Sequence, residues 1–150
     1  MGMNDPSQIF LFLASLTLFL QFIKDIEFMK VDSTKNFFMM GVGISLAIIS
    51  QNSWMYLILA LIVFVFNFVI HKIEVKRNKD FFGDGDKEVF AWLVPGLIVV
   101  GLNSVLIFLI SFSALLLMFG VAQKHYKFIE TFVPGMVFIC LAFVLSIAFI

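Results

Sequence analysis

Two carboxylates stand where apolar runs meet polar ones: Asp25 follows "LFLQFIK", and Asp86 precedes "KEVFAWL". If two such groups meet in a poorly solvated site, they cannot both ionise easily, so they share one proton. The ionised member can then take a proton from water attacking a carbonyl, while the protonated member polarises that carbonyl and helps the leaving group depart. Asp86 also closes the short run Gly83-Asp84-Gly85-Asp86. Glycine at 83 and 85 would let the backbone approach a substrate strand or take positive φ. The plainer reading is that both acids are solvated helix ends, with Asp86 a cap placed where a helix N-terminus favours negative charge. A calcium loop does not fit "DGDKEV", because Val89 stands where the EF-hand pattern needs glycine.

The elements that must position these acids are set by composition. Of 150 residues, 62% are hydrophobic and 13% charged, with 21 Phe. A soluble domain this short has too much surface to hide so much apolar side chain, so the chain reads as an integral membrane protein in contact with the lipid bilayer. Apolar runs cover 9–23, 37–50 and 54–70. The next, 89–123, is 35 residues long, against about 20 needed to cross a bilayer. "GLNS" at 101–104 divides it into a short 89–100 and a longer 105–121, and a final run occupies 132–150. Backbone groups in lipid must pair within their own segment, and none of the runs alternates as a barrel strand does. The expectation is an all-α, polytopic membrane protein with six transmembrane helices in a single domain, 1–150. The first run counts as a true span, since no Lys or Arg precedes Lys24 as the front of a cleaved signal would require.

Charge orients the bundle. Lys24, Lys30 and Lys35 fall between the first two runs, Lys72, Lys76, Arg77, Lys79 and Lys87 between the third and fourth, and Lys124 and Lys127 between the fifth and sixth. These are all ten basic residues. The positive-inside rule therefore places three loops in the cytoplasm and both termini outside. Every acid except Asp5 follows the bases, so Asp25 and Asp86 share the cytoplasmic face.

The remaining residue types narrow the chemistry. Cys140, the single cysteine, can form neither an intrachain disulfide nor a Cys-based zinc site. His71 and His125 fall at run ends beside basic residues and read as interfacial anchors. No metal and no cofactor is expected. A formal net charge of zero argues against a nucleic-acid partner. Asn67 and Asn103 are expected to hydrogen-bond between helices, and Gly41, Gly43 and Gly96 to let helices approach closely.

"GDGDKEVFAWLVPG" resembles the GxGD motif of polytopic membrane aspartic proteases, with Gly83, Gly85 and Asp86 at its fixed positions. "FIKDIEFMKVDSTKNFF" resembles the segment around the first catalytic aspartate of type IV prepilin peptidases, with Asp25, Lys30 and Val31 matching and Asp32 where that family usually has proline. The loop leading into "ETFVPGMVF" is similar as well, and the small archaeal preflagellin peptidases are the nearest variant. A second departure is Glu88, where the family's basic residue usually stands, with Lys87 one place earlier. The resemblance implies an aspartic endopeptidase of the cell (plasma or inner) membrane, with Asp25 and Asp86 catalytic. Its implied substrate is a pilin-like or flagellin-like precursor, from which it removes a short basic leader at the cytoplasmic face. Glu27, Asp84 and Glu88 could attract the leader's basic residues by charge complementarity. The cysteine-bearing cytoplasmic domain of the larger bacterial enzymes has no counterpart, which implies a peptidase without N-methyltransferase activity. The alternative is a non-enzymatic polytopic membrane subunit for assembly or transport, or a catalytically inactive relative of the peptidases.

Overall fold

The structure, a computed structural model, describes residues 5–28, 33–78, 83–125 and 135–149, with the side chains of all of these except 25–28 and 123–125. The described residues form six α-helices: α1 Pro6–Phe28, α2 Ser33–Ile49, α3 Ser53–Arg77, α4 Asp84–Gly96, α5 Leu102–His125 and α6 Gly135–Ala148. A single 3₁₀ turn, Leu97–Val99, extends α4. Among the described residues there is no strand.

The interruptions have local causes. Asp5 starts α1, its carboxylate accepting from the Ser7 backbone N–H at 3.0 Å and the Ser7 hydroxyl at 2.8 Å. The Ser7 hydroxyl and then the Ser7 N–H hold the Asp5 carboxyl below its usual range. Pro95 cannot donate to the helical ladder, and α4 tightens into the 3₁₀ turn just beyond it. Gly101 then takes φ +150, a conformation that a side chain would strain, and separates α4 from α5 at the expected "GLNS" break. The α2–α3 turn uses Gln51 at φ 59, and Asn78 at φ 50 ends α3 with its N–H donating to the Glu74 carbonyl.

Three helices are long and apolar enough to cross a membrane: 6–24, 53–77 and 102–122. α2 and α6 are apolar but shorter, at 17 and 14 residues. The outward faces of α1, α2, α3 and α5 carry large apolar side chains, with Phe12, Phe37, Trp54, Phe64 and Leu117 all more than 60% exposed. Within an interior that is mostly apolar, Gln21, Asn36, Glu74 and Asp86 are buried as well. An apolar exterior with the few intramembrane polar groups turned inward is the arrangement a lipid solvent selects, since hydrocarbon can solvate phenyl rings and cannot hydrogen-bond an amide.

α4 is the central element. From Val89 to Val99 nearly every residue is buried, including Trp92 and Leu93 completely, because α2 and α3 pack along its length while α1 and α5 cover its end. A helix surrounded on all sides is apolar all round, which is why this run shows no amphipathic pattern. Around it α5 pairs with α6, and α1 touches α2 and α6. Gly96 meets the ring of Phe10 so closely that a Cβ there would collide with it, and Gly43 faces Tyr56 with 3.2 Å to a virtual Cβ. Both glycines serve the close approach expected of them. Gly41 does not: a Cβ there would meet nothing within 4 Å.

Candidate functional site

The buried row of α1 runs Phe10, Ala14, Leu18, Gln21, in steps of three and four that keep one face toward the core. The next step of four is Asp25, which lies in the last turn of α1. Asp25 therefore falls at the next register position of that row, at the helix end. Its side chain, and that of Glu27, lie outside the described set.

Asp86 sits in the first turn of α4, 8% exposed. Gly83 caps that turn at φ −57 and ψ 148, its carbonyl accepting from the Lys87 N–H at 3.1 Å. The expected positive φ is not used there, and Gly85 is an ordinary helical residue of α4. A Cβ on Gly83 would stand 3.4 Å from Asp86 Oδ2, an ordinary contact. The glycine that the carboxylate does require is Gly135, the first residue of α6, where an added Cβ would collide with the Asp86 carboxylate.

Successive residues of an α-helix point about 100° apart, and the three after Gly85 address three neighbours. Asp86 faces α6 at Gly135. Lys87 faces α3: its ammonium donates to Glu74 Oε2 at 2.5 Å, and its carbonyl accepts from Asn67 Nδ2 at 3.1 Å. Glu88 faces α2, its two oxygens accepting from the Ser33 hydroxyl at 3.1 Å and Asn36 Nδ2 at 2.9 Å. Burial opposes the Lys87 charge, but the Glu74 and Asp84 carboxylates outweigh it and hold the ammonium's pKa above its ordinary value. Asp84, 3.2 Å from Lys87 Nζ, leaves 94% of its side chain in solvent.

Asn36 forms a second centre. Its Oδ1 accepts from Gln21 Nε2 of α1 at 2.7 Å and from Trp92 Nε1 of α4 at 2.8 Å, while its Nδ2 serves Glu88. Gln21 Oε1 and Asn67 Oδ1 are buried without a hydrogen-bond partner among the described residues. All these contacts lie at one end of the bundle, formed by the C-termini of α1 and α3 and the N-termini of α2, α4 and α6. Lys24, Lys35, Lys72, Lys76, Arg77 and Lys87 are on the same helix ends. Elsewhere, an apolar groove of 260 Å³ between α1 and α6 is lined by Phe19, Phe22, Cys140 and Val144 and carries no carboxylate.

Set beside the sequence expectations, Asp86 is buried in an interhelical position, whereas a solvated cap would be open to water. Glu88 is committed to α2, whereas Asp84 is exposed beside Lys87. Asn67 bonds across helices as expected, while Asn103 is exposed. Lys30, Val31 and Asp32 of the prepilin-peptidase-like segment, with Glu130 and the loop before Gly135, lie outside the described residues. Gln21, Asn36, Glu74 and Trp92 were not anticipated. Gln21 inside "LFLQFIK" was the available signal, since a polar residue within an apolar run needs a partner. Among the described residues no group of three His, Cys, Asp or Glu is placed to hold a metal. Compared with models of known families, with curated proteins and with solved structures, the chain matches none.

Proposed function

We propose that the chain is a membrane aspartic endopeptidase whose catalytic pair is Asp25 and Asp86. In this reading it spans the membrane six times with both termini outside. It removes a short basic leader from pilin-like or flagellin-like precursors at the cytoplasmic face. The observation that carries the reading is Asp86: a carboxylate 8% exposed at the head of the central helix, lodged against Gly135. It lies at the bundle end that also holds the last turn of α1, where Asp25 stands. The basic residues gathered at that end support a cytoplasmic orientation.

The chemistry follows from one proton shared between two carboxylates. The ionised aspartate takes a proton from water as the water oxygen bonds to the peptide carbonyl carbon, and the protonated one gives its proton to the carbonyl oxygen. A tetrahedral diol results. The aspartate now protonated gives its proton to the amide nitrogen while the other takes one from a diol hydroxyl, the C–N bond breaks, and acid and amine products leave with the pair again holding one proton. Each aspartate works in both protonation states, so losing either should be as damaging as losing both.

The test is cleavage of a pilin-like precursor with a basic leader by the full chain in lipid vesicles. Asp25→Asn and Asp86→Asn should each lose at least about a thousand-fold in rate while remaining inserted, and Asp84→Asn should retain substantial activity. An essential Asp84 with a dispensable Asp25 would sink the pairing. Cysteine labelling that placed 24–36 and 71–88 on opposite faces of the membrane would do so too.

A further inference from the structure

We infer that Asn36 is the positioning residue for the proposed aspartate pair, setting the spacing between the end of α1 and the head of α4; this rests on the peptidase reading above. Asn36 is 2% exposed, and its amide is used three ways. Gln21 reaches it from α1, one turn before Asp25. Trp92 reaches it from α4, and Glu88, two residues beyond Asp86, accepts from it. The two helices that carry the proposed catalytic acids are thus bonded to one side chain on a third helix, on the core side of both acids.

Apolar packing alone is a poor substitute at this point. It is non-directional, and helices in a lipid-solvated bundle can slide without exposing anything to water. The Asn36 amide fixes direction as well as distance: its oxygen takes two donors and its nitrogen one carboxylate, so a shift of α1 or α4 along its axis breaks a bond. Breaking one leaves a buried donor or acceptor with no water to replace the partner. Asn36 touches no reacting atom in this account; its role is to hold two carboxylates at a separation where they can share a proton. Displacements near 1 Å at such a site cost on the order of a hundred-fold in rate.

The donor and acceptor pattern supplies its own control. Asn36→Asp keeps the oxygen that Gln21 and Trp92 use but turns a second oxygen toward Glu88, opposing two acceptors. Adding Glu88→Gln restores a donor facing an acceptor, with the direction of that bond reversed. The experiment compares the parent, Asn36→Leu, Asn36→Asp and the Asn36→Asp/Glu88→Gln pair, as full chains in lipid vesicles, on a pilin-like precursor. Spin labels at Lys24→Cys and Asp84→Cys, in a Cys140→Ser background, report the α1–α4 distance independently of catalysis.

Asn36→Leu and Asn36→Asp should lower kcat about a hundred-fold with KM within about twofold, broaden the label distance distribution, and shift the Trp92 indole N–H resonance. The double variant should recover most of kcat and the narrow distribution. A role in stability alone would reduce the amount of folded protein and leave kcat per folded molecule, and the distance, unchanged; that result overturns the proposal. If Asn36→Leu does not accumulate, Asn36→Asp and its paired rescue carry the same test. A parent that cleaves no precursor removes the peptidase reading, and the label distances then decide alone whether Asn36 sets the spacing.

Discussion

The two ends of α4 are held by different forces. At its head, Asp86, Lys87 and Glu88 point to α6, α3 and α2, and the contacts with α3 and α2 are hydrogen bonds and an ion pair. At its tail, Gly96 and Leu97 are enclosed by apolar groups, with the Phe10 ring pressed against Gly96. Middle and tail are close-packed: Phe90 lies 4.9 Å from Phe112 and 5.6 Å from Phe108 between ring centroids. The head is specified by direction and charge, the tail by volume. In the proposed reading, the head is the end at which a substrate would be met.

That contrast predicts different failures at the two ends. Short of replacing an aspartate, the largest effect is expected from Gly135→Ala, which drives a methyl group into the Asp86 carboxylate. Precursor cleavage should fall about a hundred-fold, while chemical unfolding in detergent moves by less than about 2 kcal/mol. Gly96→Ala is its counterpart at the tail. It should cost about 1–3 kcal/mol of stability by overpacking against Phe10, with cleavage per folded molecule near the parent's. Equal losses of activity per folded molecule would erase the distinction between the ends.

Next comes the buried ion pair. Lys87→Met removes the ammonium that Glu74, only 4% exposed, accepts from, and should destabilise the bundle by about 3 kcal/mol. Combining it with Glu74→Leu should recover most of that, because an apolar pair removes the desolvation cost of both ions. A double variant as unstable as the single would mean that the pair contributes more than charge neutralisation.

The head should also respond to alkali. Since the folded pKa of Lys87 is raised, its contribution to stability is fully present below its ordinary value and is lost as pH rises through the raised one. Unfolding measured against pH should show this loss only above about pH 10.5, and Lys87→Met should lack it.

The smallest effect is expected at the motif glycine. Gly83 has φ −57 and room for a Cβ, so Gly83→Ala should cost about 0.5 kcal/mol as a slightly poorer cap. A larger loss in cleavage than in stability would show that position 83 meets the substrate backbone.

Much of the architecture was legible before any coordinates. Apolar runs of given length must become helices in lipid, and each run break has a local cause: Gly101 at φ +150 and Gln51 at φ 59 stand where the runs divide. The common end of the basic residues follows from helices that alternate in direction, and Asp25 and Asp86 at run edges needed only their positions in sequence. Tertiary structure decided the rest. α4 is shorter than a full span and lies inside the bundle, a consequence of packing on every side that periodicity cannot register. Glycine proved sterically necessary beside Asp86 at position 135, 49 residues away, because a contact between two helix ends depends on which helices meet. The polar partners of Asn36 lie 15 to 56 residues from it. A hydrogen bond across the bundle leaves no spacing in the sequence by which to find it.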